Sequence, residues 1–157
     1  GQASFYLDGQ LINFISGRGV NIVTIDPDTQ ELLSARVYDA WEHAAKTSDS
    51  KLVEDLAALP VGRVVLVALR GTDMQALDVK ILKALRSVGA TLLSAGEDEG
   101  YAMIGCKSGW PVAEDAGHLV DVTARILCSK AAQAARAAAS AQVAASSAVN
   151  AGNSPAE

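Results

Sequence analysis

The chain has 157 residues, with 18 acidic and 13 basic side chains and a net charge of −5. This acidic balance argues against nucleic acid as the main partner, because phosphate binding needs a basic face, and no apolar run approaches the ~18 residues of a membrane span. The two cysteines are too few for a disulfide scaffold or a metal cluster.

Short β-prone runs in the N-terminal part of the chain predict two hairpins. The predicted strands cover residues 3–7, 11–15, 20–25 and 31–39. Asp8-Gly9 separates the first two strands, and such a pair favours a tight hairpin turn. Pro27 pre-sets the second position of the turn between the other two strands. Between the hairpins, Gly17 and Gly19 flank Arg18, so we expect a glycine hinge that delivers Arg18 to a sheet edge.

The middle of the chain predicts two helices. Ser48 and Asp49 have the character of N-cap residues, leucines follow at helical spacing, and Pro60 stops this first helix. Asp73 is predicted to cap a second helix, which carries one apolar face and ends at Gly89.

Further strands and a helical end complete the predicted order. The additional strands cover residues 63–69, 91–94 and 101–106. From Leu119 the chain is predicted to be helical and to continue into a tract in which 13 of the last 27 residues are alanine. We therefore expect an α+β fold. Residues 1–118 are expected to form one domain, and residues 119–157 a C-terminal helix with an Ala-rich helical tail.

No arrangement of nucleophile and base is visible, so the sequence predicts no enzyme, no catalytic residue and no cofactor. His43 and His118 are expected to be packing or solvated imidazoles. Asp26, Asp28 and Glu31 lack the spacing of a calcium loop and predict a plain Asp-rich turn, with no metal site.

The two cysteines are placed in different predicted elements. Cys106 falls in a strand and Cys128 in the last helix, so the sequence allows either two buried thiols or one disulfide. The chain starts at Gly1 without an initiator Met, which is consistent with a processing site. A secreted, lumenal or organellar compartment is slightly favoured, although the compartment itself is not determined.

Five blocks of sequence resemble the ILEI/PANDER domain. They are the segments 17–27, 35–41, 60–68, 84–89 and 101–105. The resemblance implies two antiparallel β-sheets packed as a compact sandwich with flanking helices, and no catalytic activity. Some members of the family are secreted signalling proteins, and another is the stem domain of a protein O-mannose N-acetylglucosaminyltransferase, which binds a sugar.

The sugar-binding relatives imply a candidate glycan site. The Arg of their Gly-Arg-Gly motif matches Arg18, and an Asp after the central strand falls near Asp73 in this sequence. Their third residue, an Arg in a Trp-Arg-Asp segment, has no counterpart, because residues 97–99 are Glu-Asp-Glu. Carboxylates accept hydrogen bonds where a guanidinium donates them.

The Ala-rich tail is the strongest indication of a partner. An alanine helix buries little area by itself, but it can approach another backbone closely, so residues such as Arg136, Gln142 and Val143 are predicted to dock on a partner. The leading hypothesis is a non-enzymatic accessory or structural subunit of a larger protein assembly, which includes a peripheral role on a membrane complex. The alternatives are a carbohydrate-binding module and a secreted signalling ligand.

Overall fold

In the computed structural model, the chain forms two antiparallel sheets and two α-helices within the described residues, which are 2–39, 45–94, 96, 99–109 and 111–125. The strands are β1 (Tyr6–Leu7), β2 (Gln10–Leu11), β3 (Gly19–Ile25), β4 (Leu32–Tyr38), β5 (Val64–Arg70), β6 (Gly100–Cys106) and β7 (Pro111–Gly117). The helices are α1 (Ala45–Ala57) and α2 (Val79–Arg86), with a short 3-10 turn at Met74–Ala76.

The larger sheet has five strands in the order β4-β3-β5-β6-β7, and all its neighbouring strands are antiparallel. Alternate residues of the central strands face the two helices, because side chains in a strand alternate between the faces of the sheet. The core joins strand residues to helix residues. Among its members are Val20, Ile22, Leu52, Leu56, Val65, Val67, Ile81, Leu85, Tyr101 and Met103.

The opposite face of the larger sheet holds the segment that precedes β3. The side chain of Asn21 hydrogen-bonds the backbone of Gly17, and Arg70 donates to the carbonyl of Ser16. A Cβ atom on Gly17 would lie 2.7 Å from the Cγ1 atom of Val37. Residues 16–17 are therefore fixed against this face from three neighbouring strands.

The predicted combination of two antiparallel sheets with helices is confirmed, and the packing of the smaller sheet as one layer of a sandwich stays a prediction. Both predicted N-terminal hairpins form, but the strands of the first, Tyr6–Leu7 and Gln10–Leu11, are shorter than the predicted 3–7 and 11–15. Asp8 and Gly9 occupy positive φ angles of 52° and 74° in the first turn, as a two-residue hairpin turn of the primed type requires. Strand β5 matches the continuous apolar run that predicted it.

Both predicted helix caps are wrong in position. Helix α1 begins at Ala45, so Ser48 and Asp49 lie inside it. Asp73 precedes only the 3-10 turn, and its side chain makes no capping hydrogen bond there. The carboxylate of Asp78 instead caps α2 by accepting from the Lys80 N–H at 2.7 Å.

The C-terminal part of the described chain departs most from the prediction. Residues 91–94 form no strand, β7 was not predicted, and residues 119–125 are not helical. Leu119 is 93% exposed, so it offers no buried apolar face for a helix, and Val120 packs beside Gly100 at the start of β6. The alanine tract lies outside the described residues, so the helical tail and the 119–157 unit remain predictions.

Candidate functional site

The Gly-Arg-Gly segment lies at one end of the larger sheet, immediately before and at the start of β3. Asn21 is fully buried, and its side-chain oxygen accepts from the Gly17 N–H at 2.9 Å. Its amide nitrogen donates to the carbonyls of Gly17, Gly19 and Ala68 at 2.9, 3.4 and 3.3 Å. One side chain thus satisfies both backbone groups of Gly17 and links the segment to β5.

Arg18 is presented at this end with its stem supported and its guanidinium half-exposed. The stem lies over Gly71, where a Cβ atom would come within 3.1 Å of the Arg18 Cγ, and Gly71 has a φ of +59° that also favours glycine. The Arg18 Nε is 4.0 Å from a carboxylate oxygen of Asp39, and the two side chains are 43% and 49% exposed. This pairing leaves the guanidinium accessible from solvent.

The loop after β5 belongs to the same end of the sheet, because Gly19 and Arg70 are paired across β3 and β5. Asp73 follows Gly71 by two residues, so the structure brings the chain segments of both predicted sugar contacts together. We call Arg18, Asp39, Arg70 and Asp73 the Arg18 end. It combines guanidinium donors with carboxylate acceptors, the pairing that hydroxyl-rich ligands require.

The acidic run at residues 97–99 does not contain the Arg that makes the third sugar contact in the resembling family. Glu99 is the described member of its acidic run, and its carboxylate accepts from the Gly96 N–H at 2.6 Å. That carboxylate therefore closes its own turn.

Glu114 on β7 holds the segment that was predicted as a strand. Its carboxylate accepts from the N–H groups of Thr91 and Leu92 at 2.7 and 2.8 Å, from the Thr91 hydroxyl, and from the Tyr101 hydroxyl at 2.6 Å. Burial raises the pKa of Glu114, but these hydrogen bonds outweigh it, so the pKa lies below its ordinary value. Burial and the same contact raise the pKa of Tyr101.

We expect Glu114→Gln to lower the free energy of unfolding by about 1–2 kcal/mol at pH 7, because charge-assisted hydrogen bonds are lost. A carboxyl with a lowered folded pKa contributes stability that is present above its unfolded pKa and is lost as pH falls through the folded value. The difference in the free energy of unfolding between wild type and variant should therefore become smaller from pH 7 to pH 3. Urea unfolding at both pH values measures it, and a gap that widens in acid would contradict the assignment.

A polar groove lies between β3, β4 and α1. Asp55 accepts from the Tyr38 hydroxyl at 2.7 Å, from Arg36 at 3.2 Å and from Lys51 at 2.8 Å. Burial raises the pKa of Asp55, but the three donors lower it by a larger amount, so its pKa lies below the ordinary value. Burial and the Asp55 contact raise the pKa of Tyr38. The groove has a volume of about 170 Å³.

The Asp-rich turn has the structural role that the sequence predicted. The Asp26 carboxylate accepts from the N–H groups of Asp28 and Thr29 at 2.7 and 3.0 Å, and these bonds lower its pKa. Within the described ranges, no group of three or more His, Cys, Asp or Glu side chains could share a metal ion. Of the helices that the structure describes, none is long and apolar enough to span a membrane.

Other predicted residues fall in several places. His118 is exposed in the bend after β7, and Cys106 ends β6. The remaining ones lie outside the described residues: His43, Cys128, Arg136, Gln142 and Val143. Their predicted roles stay predictions, as does the choice between thiols and a disulfide.

Two residues that fix segments of the fold were not found by sequence reasoning: Asn21 beside Arg18, and Glu114 at residues 91–92. Asn21 is a polar residue inside a β-branched run, and that interruption was the available signal. Glu114 gave no usable signal, because its partners lie 13 to 23 residues away and β7 was itself not predicted.

Comparison with known proteins identifies one matching family. The family model described as ILEI, interleukin-like EMT inducer, matches residues 18–109, which is more than half of the chain. The match begins at Arg18 and covers β3 to β6. No curated protein matches the chain.

Proposed function

The chain belongs to the ILEI family, and on this premise we propose that it acts as a non-catalytic interaction domain, an accessory or structural subunit of a larger protein assembly. The proposal is supported by the structural use of two carboxylates in the described part of the chain. Asp55 and Glu114 each accept several internal hydrogen bonds and pair with Tyr38 and Tyr101. Both carboxylates hold elements of the domain together, because Asp55 joins α1 to β4 and Glu114 joins β7 to residues 91–92.

The tail is the proposed docking element, with Arg136, Gln142 and Val143 at the contact. We expect the full chain to co-elute with a partner from its source, and a variant that ends before residue 131 to elute alone. Gel filtration of both forms, followed by affinity capture, tests this. Recovery of the same partner by the shortened chain would move the docking site to residues 1–130.

A second candidate function, carbohydrate binding, is favoured by the Arg18 end. Arg18 is held over Gly71 with its guanidinium half-exposed, beside Asp39 and near the Asp73 segment. A fixed guanidinium next to carboxylates offers both donors and acceptors to sugar hydroxyls.

We expect Arg18→Ala to weaken the binding of a simple N-acetylhexosamine by about tenfold or more, since hydrogen bonds to a charged group contribute ~1.5–3 kcal/mol. Amide chemical shifts at Gly19 and Gly71 during a sugar titration measure the affinity. Arg86→Gln, at an exposed position of α2, is the charge control. The absence of binding at millimolar sugar would remove this function.

A further inference from the structure

The two edge strands of the larger sheet differ in how they are protected. An edge strand exposes unpaired backbone groups, which proteins protect with proline, charge or short length. Strand β7 begins with Pro111 and carries the exposed Asp115. Strand β4 has no proline over its seven residues and carries one charged residue, Arg36, while Leu33 and Val37 are 45% and 37% exposed. In the part of the chain that the structure describes, no strand covers the outer edge of β4.

Positive charge with spare donors lies at this same edge. Arg36 of β4 and Lys51 of α1 share the single carboxylate of Asp55, and their side chains are 55% and 56% exposed. An arginine carries five N–H donors and a lysine three, so both keep donors toward solvent after binding Asp55. Two cations against one carboxylate give this cluster beside the groove a net positive charge, in a chain of net charge −5.

The groove beside these cations has an apolar floor and a small size. Ile22, Leu56 and Leu59 line it together with the hydroxyls of Thr24 and Ser34, whose oxygens are 2.6 Å apart. Its volume of about 170 Å³ is below the ~300–1,000 Å³ of pockets for drug-sized ligands. It therefore suits individual side chains of a partner that lies along β4.

We propose that the outer edge of β4 binds an extended acidic segment of a partner protein by strand addition, with a carboxylate of that segment against Arg36 and Lys51. Main-chain hydrogen bonds to a sheet edge supply affinity, and pockets for alternate side chains supply specificity. A second copy of β4 offers no carboxylate from within the strand, because Leu32–Tyr38 contains no acidic residue. Arg36, Lys51 and Asp55 are not among the four residues of the Arg18 end, so this test is independent of the sugar titration.

The test uses the full chain and two short capped peptides, one alternating valine and glutamate and the other valine and glutamine. We expect the glutamate peptide to shift the backbone amides of β4 and to bind about fivefold more tightly than the glutamine peptide, the effect of an opposite-charge cross-strand pair. NMR titration gives both the location and the affinities. Equal affinity for the two peptides, or shifts confined to β7, would overturn the proposal.

Matched variants separate recognition from general charge. Arg36→Gln should abolish the preference for glutamate and Lys51→Gln should reduce it, whereas Arg86→Gln should leave it unchanged. Lys51 is an exposed helix residue, so its variant carries the test if the β4 variant fails to fold. A preference that survives both groove variants contradicts the proposal. So does a wild-type dimer whose β4 amides are protected from hydrogen exchange without peptide, which would assign the edge to a second copy.

Discussion

Gly105→Ala is expected to destabilise the domain by about 3 kcal/mol or more, at the upper end of what overpacking costs. A Cβ atom on Gly105 would lie 2.3 Å from the carbonyl oxygen of Val88, a distance at which one backbone must move. Val88 follows α2 and is fully buried, and Gly105 lies in β6, an inner strand of the sheet. The missing side chain is thus what lets the end of α2 lie directly on β6.

The control for this variant is another strand glycine with open space around it. Gly117 on β7 has nothing within 4 Å of its would-be Cβ, so Gly117→Ala should be neutral or slightly stabilising, by up to about 1 kcal/mol. Urea unfolding of the two variants and the wild type measures the difference. Similar stabilities for the two variants would show that the Val88 contact relaxes at little cost.

The elements that sequence predicted correctly are those whose pattern is local. The β-branched and apolar runs of β3 and β5 stand out because central strands are buried on both faces. Strand β7 carries proline, glutamate, aspartate and glycine, which are all poor strand formers. It forms because its backbone pairs with β6 and because the Glu114 carboxylate accepts hydrogen bonds from residues 91–92. Such long-range compensation leaves no periodic trace in the sequence.

The candidate site was predictable to the same degree. Arg18 was found because glycines on both sides of an arginine are a local pattern. The predicted position at a sheet edge was wrong, because Arg18 precedes the inner strand β3 and Asn21 fixes Gly17. Asp73 was assigned a second role, helix capping, which Asp78 performs instead. The Asp55 groove was not predicted, because Arg36 meets the i,i+4 pair of Lys51 and Asp55 only when α1 packs on β4.

Asn21→Asp is the second variant with a large expected effect, a loss of about 3–5 kcal/mol at pH 7, the range for an uncompensated buried charge. The substitution replaces the amide nitrogen, which faces the carbonyls of Gly17, Gly19 and Ala68, by an oxygen. Asn21→Ala should cost less, about 2 kcal/mol, because it leaves the Gly17 N–H unsatisfied without burying a charge. Both variants should also loosen the segment that presents Arg18.

The pH dependence distinguishes the buried charge from a simple loss of packing. Burial among carbonyl oxygens raises the folded pKa of the introduced carboxyl above its unfolded value of about 3.9. The loss in Asn21→Asp should therefore grow as pH rises from 3 to 7, whereas the loss in Asn21→Ala should stay nearly constant. Asn13→Asp, at an exposed position, should remain within about 0.5 kcal/mol of wild type. Urea unfolding at pH 3 and pH 7 measures the loss in the free energy of unfolding. Equal losses for Asn21→Asp at both pH values would mean that the introduced carboxyl reaches solvent. Asn21 would then hold the Gly-Arg-Gly segment less rigidly than its four hydrogen bonds indicate.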